Sequence, residues 1–316
     1  MKSLTIGTGL KTISQEAFSG CSGLGRVDIP DNVLHINQQA FYGCSQISEV
    51  VMKSVTTIGE EAFSSCSLLK GITIPMSVTK IDARAFASSG LENVDYPTSV
   101  TEYENNIFDQ CENLKMITII GDSTKSEMEG YTHQQQPWWT NILVIETVKI
   151  SEGVTSIGTS SFEGAEKLTS VELSTSVKTI GNRSFKGCVL LESLELNNVE
   201  SIGEQAFSSI KISSLRITEN VIAIGKESFS NCDLLTTVRY PVHEIVFGEN
   251  IFTECKNLNE MIFYKTEKGD TMQIYENGTQ PWSSILKQIT TVEFEEGVKY
   301  VGDYSFAGAE NLTTIN

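Results

Sequence analysis

Seven cysteines, three histidines and three tryptophans are the side chains of this 316-residue chain that could define a site, and each chemistry needs its own spacing. A thiolate metal site needs closely spaced pairs such as C-x-x-C, and none occurs. Cys21, Cys44, Cys66, Cys111, Cys188, Cys232 and Cys255 instead each follow a phenylalanine by three residues. In other rows Ser89, Ala165, Ile210 and Ala309 take that place. The odd count and the exchange for alanine argue against disulfides, and the pattern predicts a column of small, buried, unpaired thiols. His35, His133 and His243 fall at unrelated positions, without a Cys or Asp partner in a nucleophile motif. No G-x-S-x-G, H-E-x-x-H, phosphate-binding loop or G-x-G-x-x-G is present. The carboxylates suggest no convergent pair. These observations predict no enzyme, no metal and no cofactor.

The phenylalanines set a ruler for the elements that position these groups. Phe18, Phe41, Phe63, Phe86 and Phe108 are 22 or 23 residues apart, as are Phe162, Phe185, Phe207, Phe229 and Phe252. Phe306 and Phe162 each follow a step of 54. A period of about 20–29 residues is that of leucine-rich repeats. Five residues before each Phe lies an apolar residue, such as Ile13, Ile58, Ile180 or Ile224, and eight before lies Val in nine rows of eleven. Ala or Ser directly precedes the Phe in nine rows, which predicts tight packing between turns. Four before it stand Gly, Asn or Asp in nine rows, among them Gly59, Gly203 and Gly248. These residue types tolerate positive φ, so a tight turn is expected there.

Between each Phe and the next Val, apolar and polar residues alternate, as in Val27-Asp28-Ile29 and Val171-Glu172-Leu173. That alternation is strand periodicity. The expected fold is a repeat solenoid: parallel strands, one per turn, with irregular or short helical segments opposite. About fourteen rows at the spacing of parallel strands would span roughly 65 Å.

A longer period contains the short one. Phe18, Phe162 and Phe306 are 144 residues apart, and Gln136-Pro137-Trp138-Trp139 recurs as Gln280-Pro281-Trp282-Ser283. Residues 1–316 therefore read as one solenoid of two super-repeats, about 1–144 and 145–288, with a partial third, 289–316. Enlarged rows at 114–144 and 258–288 lack the Phe and carry polar stretches, 122–136 and 265–280, expected to bulge out as loops. All three tryptophans lie there. Trp138 and Trp282 are expected to plug the place of the missing Phe. Trp139, whose counterpart is Ser283, is expected to face water and is the candidate for ligand stacking.

The strings Val154-Thr155-Ser156-Ile157-Gly158-Thr159-Ser160-Ser161-Phe162 and Ile72-Thr73-Ile74-Pro75-Met76-Ser77-Val78, the latter followed by Ile81 and Ala85-Phe86, resemble BspA-like leucine-rich repeats. The resemblance covers essentially the whole chain. It implies a surface-exposed or secreted protein with an adhesive or ligand-binding role, and fold-level analogy carries function only by association.

Net charge is −17, which opposes nucleic-acid binding, because such proteins must neutralise phosphates. No run of 18 apolar residues exists to span a membrane as a helix, and no signal peptide is visible in Met1–Gly7. Asn182-Arg183-Ser184, Asn277-Gly278-Thr279 and Asn311-Leu312-Thr313 are glycosylation sequons that matter only on a eukaryotic secretory route.

The outward strand positions form the candidate binding face. They include Arg26, Asp28, Glu49, Asp95, Lys149, Glu172, Glu195, Arg216 and Arg239, with Trp139 added from the insertion. Arg216 and Arg239, one row apart, should make a small basic spot on an acidic protein. The expected partner is a protein or glycan, host or extracellular-matrix molecules included. The alternative from another class is a structural array that self-associates end to end through uncapped termini.

Overall fold

The alternating segments become parallel strands because each turn of about 22 residues returns the chain to the same place one strand spacing further on. The computed structural model describes residues 2–104 and 106–316, and the chain divides into two units, residues 1–154 and 155–316. In the first unit Lys2–Thr5, Leu24–Asp28 and Glu49–Val51 pair in one sheet. Gly71–Thr73, Asn93–Pro97, Met116–Ile120 and Thr147–Ile150 pair in register in a second. In the second unit Ser214–Arg216, Thr237–Pro241, Glu260–Tyr264, Thr291–Phe294 and Thr314–Ile315 do the same.

Ten of the eleven ordinary turns also hold a second strand of two residues, which adds to the single strand expected from the sequence. Thr12–Ile13, His35–Ile36, Thr57–Ile58, Lys80–Ile81 and Glu102–Tyr103 form one such ladder. Ser156–Ile157, Thr179–Ile180, Ser201–Ile202, Ala223–Ile224 and Val246–Phe247 form the other. The apolar residue five before the Phe ends each of these strands and points inward, and Ile58 and Ile180 are fully buried. Segments of two residues are too short to show the alternation by which strands are recognised in sequence.

The third side of the turn carries the phenylalanines. Rings from successive rows stack nearly parallel, with centroids 5.2–5.7 Å apart from Phe18 to Phe108 and 5.5–6.1 Å apart from Phe162 to Phe252. Here the backbone alternates between right- and left-handed conformations. Positive φ falls two residues before the Phe, as at Gln39, Arg183 and Gln205, and two residues after it, as at Gly43, Gly187 and Ser209. The alternation turns every second N–H along the stack. Thus Arg183, Phe185 and Gly187 donate to the carbonyls of Glu204, Ala206 and Ser208 in the next row, at 2.8, 2.9 and 2.9 Å. This ladder satisfies backbone groups that would otherwise be buried unpaired.

The glycines four before the Phe do a different job from the one expected. None of Gly59, Gly203 and Gly248 has positive φ. They are small because the preceding turn lies directly against them. A Cβ on Gly203 would sit 2.5 Å from the backbone N of Asn182, and one on Gly248 would sit 2.3 Å from that of Lys226. Backbone atoms held in ladders on both sides cannot give way cheaply. Gly203→Ala is therefore expected to destabilise the second unit by about 1–3 kcal/mol, the usual range for overpacking. An unchanged denaturation midpoint would refute the close approach.

The enlarged rows keep the solenoid continuous without a Phe. The stretch 265–280 does not bulge freely as expected: Met272 and Tyr275 are buried, and their N–H groups donate to the carbonyls of Tyr300 and Asp303 at 3.0 and 3.2 Å. Met128 and Tyr131, at the matching places in the first unit, are buried too. Two apolar anchors in an otherwise polar segment are enough to hold it against the body of the repeat.

Candidate functional site

The thiol column is present but uneven. Cys44, Cys66, Cys111, Cys188, Cys232 and Cys255 are buried and unpaired, whereas Cys21 is unpaired and exposed. Each buried thiol donates to the carbonyl of the preceding row's Phe. Cys44 to Phe18 and Cys255 to Phe229 are both 3.0 Å. Burial pushes the Cys44 thiol up to about 11 and raises Cys66 and Cys188 further, so these groups stay protonated at neutral pH. The expectation of seven protected thiols is corrected to six. Native protein should titrate one fast thiol with a disulfide reagent and all seven after denaturation without reductant; more than one fast thiol would contradict the buried column.

The histidines serve structural contacts. His35 Nδ1 lies 2.9 Å from Thr57 Oγ1, and His243 is buried with Nε2 2.9 Å from the Val221 carbonyl. His133 meets the ring of Trp139 edge-on at 5.2 Å. Among the described residues no three His, Cys, Asp or Glu side chains gather as a metal site.

Trp138 and Trp282 are fully buried, while Trp139 is half-exposed. Trp282 stacks on Phe306 at 5.7 Å with an interplanar angle of 19°, continuing the ring column in the second unit. Its indole N–H donates to the Ser305 carbonyl at 2.7 Å. In an ordinary row the backbone N–H of the anchor Phe makes that bond, as Phe185 does to Ala206. One side chain therefore replaces both the ring and the backbone donor of the absent Phe.

The outward strand residues separate into groups. In the first unit the Arg26 guanidinium binds the Asp28 carboxylate at 2.8 Å and also the carboxylate of Glu49. The hydrogen bonds from Arg26 hold Asp28 below the usual carboxylate range. One guanidinium is thus shared by two carboxylates, and the group keeps a net charge of about −1. Asp95 accepts a hydrogen bond from Thr73 Oγ1 at 2.7 Å, and Lys149 lies two strands further on in the same register, across Thr118. In the second unit Glu172 lies on the strand Ser170–Leu173, and Glu195 is exposed outside any strand.

Arg216 and Arg239 are brought together as strand neighbours in register. The guanidinium of Arg216 lies 4.6 Å from the ring centre of Tyr264, and that of Arg239 lies 5.7 Å from it. Tyr264 is fixed by its hydroxyl, which donates to the Ile217 carbonyl at 2.6 Å. Arg239 pairs with Glu295, yet its Nε is buried without an acceptor. Among the described residues no carboxylate lies within ion-pair distance of Arg216. The role of Tyr264 was not legible from the sequence: it has the outward parity of Glu260 and Ile262, but the pattern does not reveal that two guanidinium groups from the preceding rows meet its ring. The matching outward positions of the first unit hold Thr73 and Asp95 in place of the two arginines. The inward frame of the two super-repeats is shared, and their outward charge differs.

The family described as the BspA type leucine rich repeat region matches residues 1–120, 138–259 and 284–316, in 6 copies. The unmatched stretches fall within the enlarged rows. Among solved structures the chain is similar to a leucine-rich repeat protein from Bacteroides ovatus, with 22% identity and a TM-score of 0.49, over 96% of this chain and 76% of that one. It is also similar to a leucine rich cell surface protein from Faecalibacterium prausnitzii, with 26% identity and a TM-score of 0.40, over 81% and 77% of the two chains. The pneumococcal vaccine antigen PcpA is 17% identical, with a TM-score of 0.41, over 97% and 84%. A comparison with curated proteins gives no match.

Proposed function

The chain belongs to the BspA-type leucine-rich-repeat family, and we propose that it is a non-enzymatic recognition module of the cell surface that engages an acidic group of a protein or glycan through its strand face. The observation that carries this reading is the Arg216–Arg239–Tyr264 cluster. Two guanidinium groups on neighbouring strands in register offer forked donors suited to a carboxylate or sulfate. The ring of Tyr264 holds the Arg216 fork in place. Arg239 is shared with Glu295, which leaves Arg216 as the guanidinium of the pair to meet an anionic ligand. The net charge of −17 gives no reason for a basic spot by composition alone. Placement at the surface is supported only by the family resemblance.

The test is an array of glycans and extracellular-matrix proteins probed with the wild-type chain and with Arg216→Ala/Arg239→Ala. Binding to acidic members that the double variant loses supports the reading. Binding that ignores the substitutions places recognition elsewhere, and no binding at all removes it.

A further inference from the structure

On the short-strand side of the second unit, four successive rows carry exposed apolar residues. Val246 is 73% exposed and Ile274 64%, and Ile222 and Tyr300 are nearly half-exposed. The rows follow one another in space. The Val246 N–H donates to the Ile222 carbonyl at 2.9 Å. The ring of Phe247 lies 6.0 Å from that of Tyr275, the residue after Ile274, and Thr271 in the same segment bridges to Tyr300. We propose that this side docks a basic amphipathic helix of a partner protein, a contact separate from the arginine pair of the strand face.

The fold does not require apolar residues at these places. The first super-repeat has Thr79, Glu102, Gly130 and Ser156 there. Neighbours on each row already fill the core, and Val221, Ile224, Ile245 and Tyr275 are buried. Apolar side chains gathered on one side in water mark a surface that another molecule covers. Their spacing suits a helix laid along the stack. Rows repeat at about 4.8 Å. A helix presents a side chain to one side once per turn, about every 5.4 Å. Same-face residues of an extended strand are about 6.7 Å apart and soon lose step with the rows.

Charge selects the partner. Glu244 and Glu249 lie on either side of Val246 in the chain, Glu276 follows Ile274 by two residues, and all three are exposed. Among the described residues no ion pair holds these carboxylates. Lys226 and Lys299, on the same rows, are already paired with Glu227 and Asp270. The carboxylates come with the apolar residues: Glu244 and Glu276 stand where the first super-repeat has Val100 and Thr132. A second copy of this chain, with its net charge of −17, would be repelled, as would an anionic membrane. Lysines or arginines along the edges of an apolar helix face would meet the carboxylates instead.

The probe is a fluorescent peptide of about 18 residues, long enough to form a helix, with Leu at i, i+3, i+4 and i+7 and Lys elsewhere. It is titrated with the full chain and followed by anisotropy. The wild type should bind it, and Val246→Ser/Ile274→Ser should weaken binding by at least about tenfold with an unchanged circular dichroism spectrum. The serine variant keeps the net charge, so mere attraction to an acidic chain would survive it. Glu244→Gln/Glu276→Gln should also weaken binding and flatten its dependence on salt. Should the serine pair fail to fold, Ile222→Thr, which restores the residue of the first super-repeat, provides the same test. No binding of the lysine peptide, equal binding by the serine variant, or equal affinity for a peptide with Glu in place of Lys overturns the proposal. Serine-sensitive binding to phosphatidylcholine vesicles, or self-association in sedimentation that the serine variant abolishes, would overturn it too, by assigning this side to a lipid surface or to a second copy.

Discussion

Phe185→Ala should destabilise the second unit by about 3–5 kcal/mol, the range for deleting a large buried aromatic side chain. Phe185 has no exposed surface, and its ring is sandwiched between Phe162 at 5.6 Å and Phe207 at 5.5 Å. In a solenoid each row touches only its neighbours, so stability is a sum of row and interface contributions. Removing one ring damages two interfaces at once. The cavity cannot collapse easily, because the rows are held at strand spacing by two separate hydrogen-bonded ladders, that of the short strands and that of the Phe rows. Phe185→Leu should cost less, since most of the volume is kept. The measurement is urea denaturation followed by circular dichroism. A midpoint unchanged by Phe185→Ala would remove the ring column from the core.

Trp282→Ala should be comparably damaging, on the order of 3–5 kcal/mol. The indole replaces an anchor rather than decorating one. It stacks on Phe306, meets Phe263 at 5.1 Å and Tyr275 at 5.4 Å, and donates its N–H to Ser305. Loss of the side chain leaves a large void and a carbonyl without its donor. Trp282→Phe separates these contributions. It keeps an aromatic ring in the column and removes the hydrogen bond, for which a loss of about 1 kcal/mol is expected. Equal effects of the alanine and phenylalanine variants would show that the hydrogen bond, not the ring, dominates. A negligible effect of both would refute the plug.

The ring column, the thiols and the apolar ends of the short strands were legible because one residue type recurs at a fixed interval and burial is what unites them. The family resemblance followed from the same strings. Other features were not legible, for physical reasons that differ. The left-handed positions are filled by Glu, Gln, Arg, Ser and Tyr as well as Gly, so no residue type marks them; the inter-row hydrogen bonds, not side-chain preference, impose them. Gly203 and Gly248 pointed to positive φ, the commonest reason for glycine, when their reason is the backbone of the preceding turn. Met272 and Tyr275 were lost in a polar stretch because two apolar residues make no period. Several of the outward residues, such as Arg26, Arg216 and Arg239, lie on strands as alternation suggests, whereas Glu195 lies outside any strand, and which of them meet each other depends on register. Arg26 is engaged by two carboxylates, Asp28 and Glu49, whereas Arg216 and Arg239 converge on a ring that the sequence offered no reason to single out.

Recognition through the strand face is the central claim, and it is tested most directly by the affinity of the strongest acidic array partner for the wild type and for Arg216→Glu/Arg239→Glu, measured by calorimetry at low and at physiological salt. Both side chains face outward, so the fold should be retained, as thermal melting would verify. Replacing paired donors with carboxylates should cost about 2–5 kcal/mol of binding energy, as for a broken charge pair at an interface. The wild-type affinity should also weaken with salt, in keeping with screening of partly exposed charges. Loss of binding in the folded variant is the predicted result; an affinity equal to that of the wild type would contradict the account.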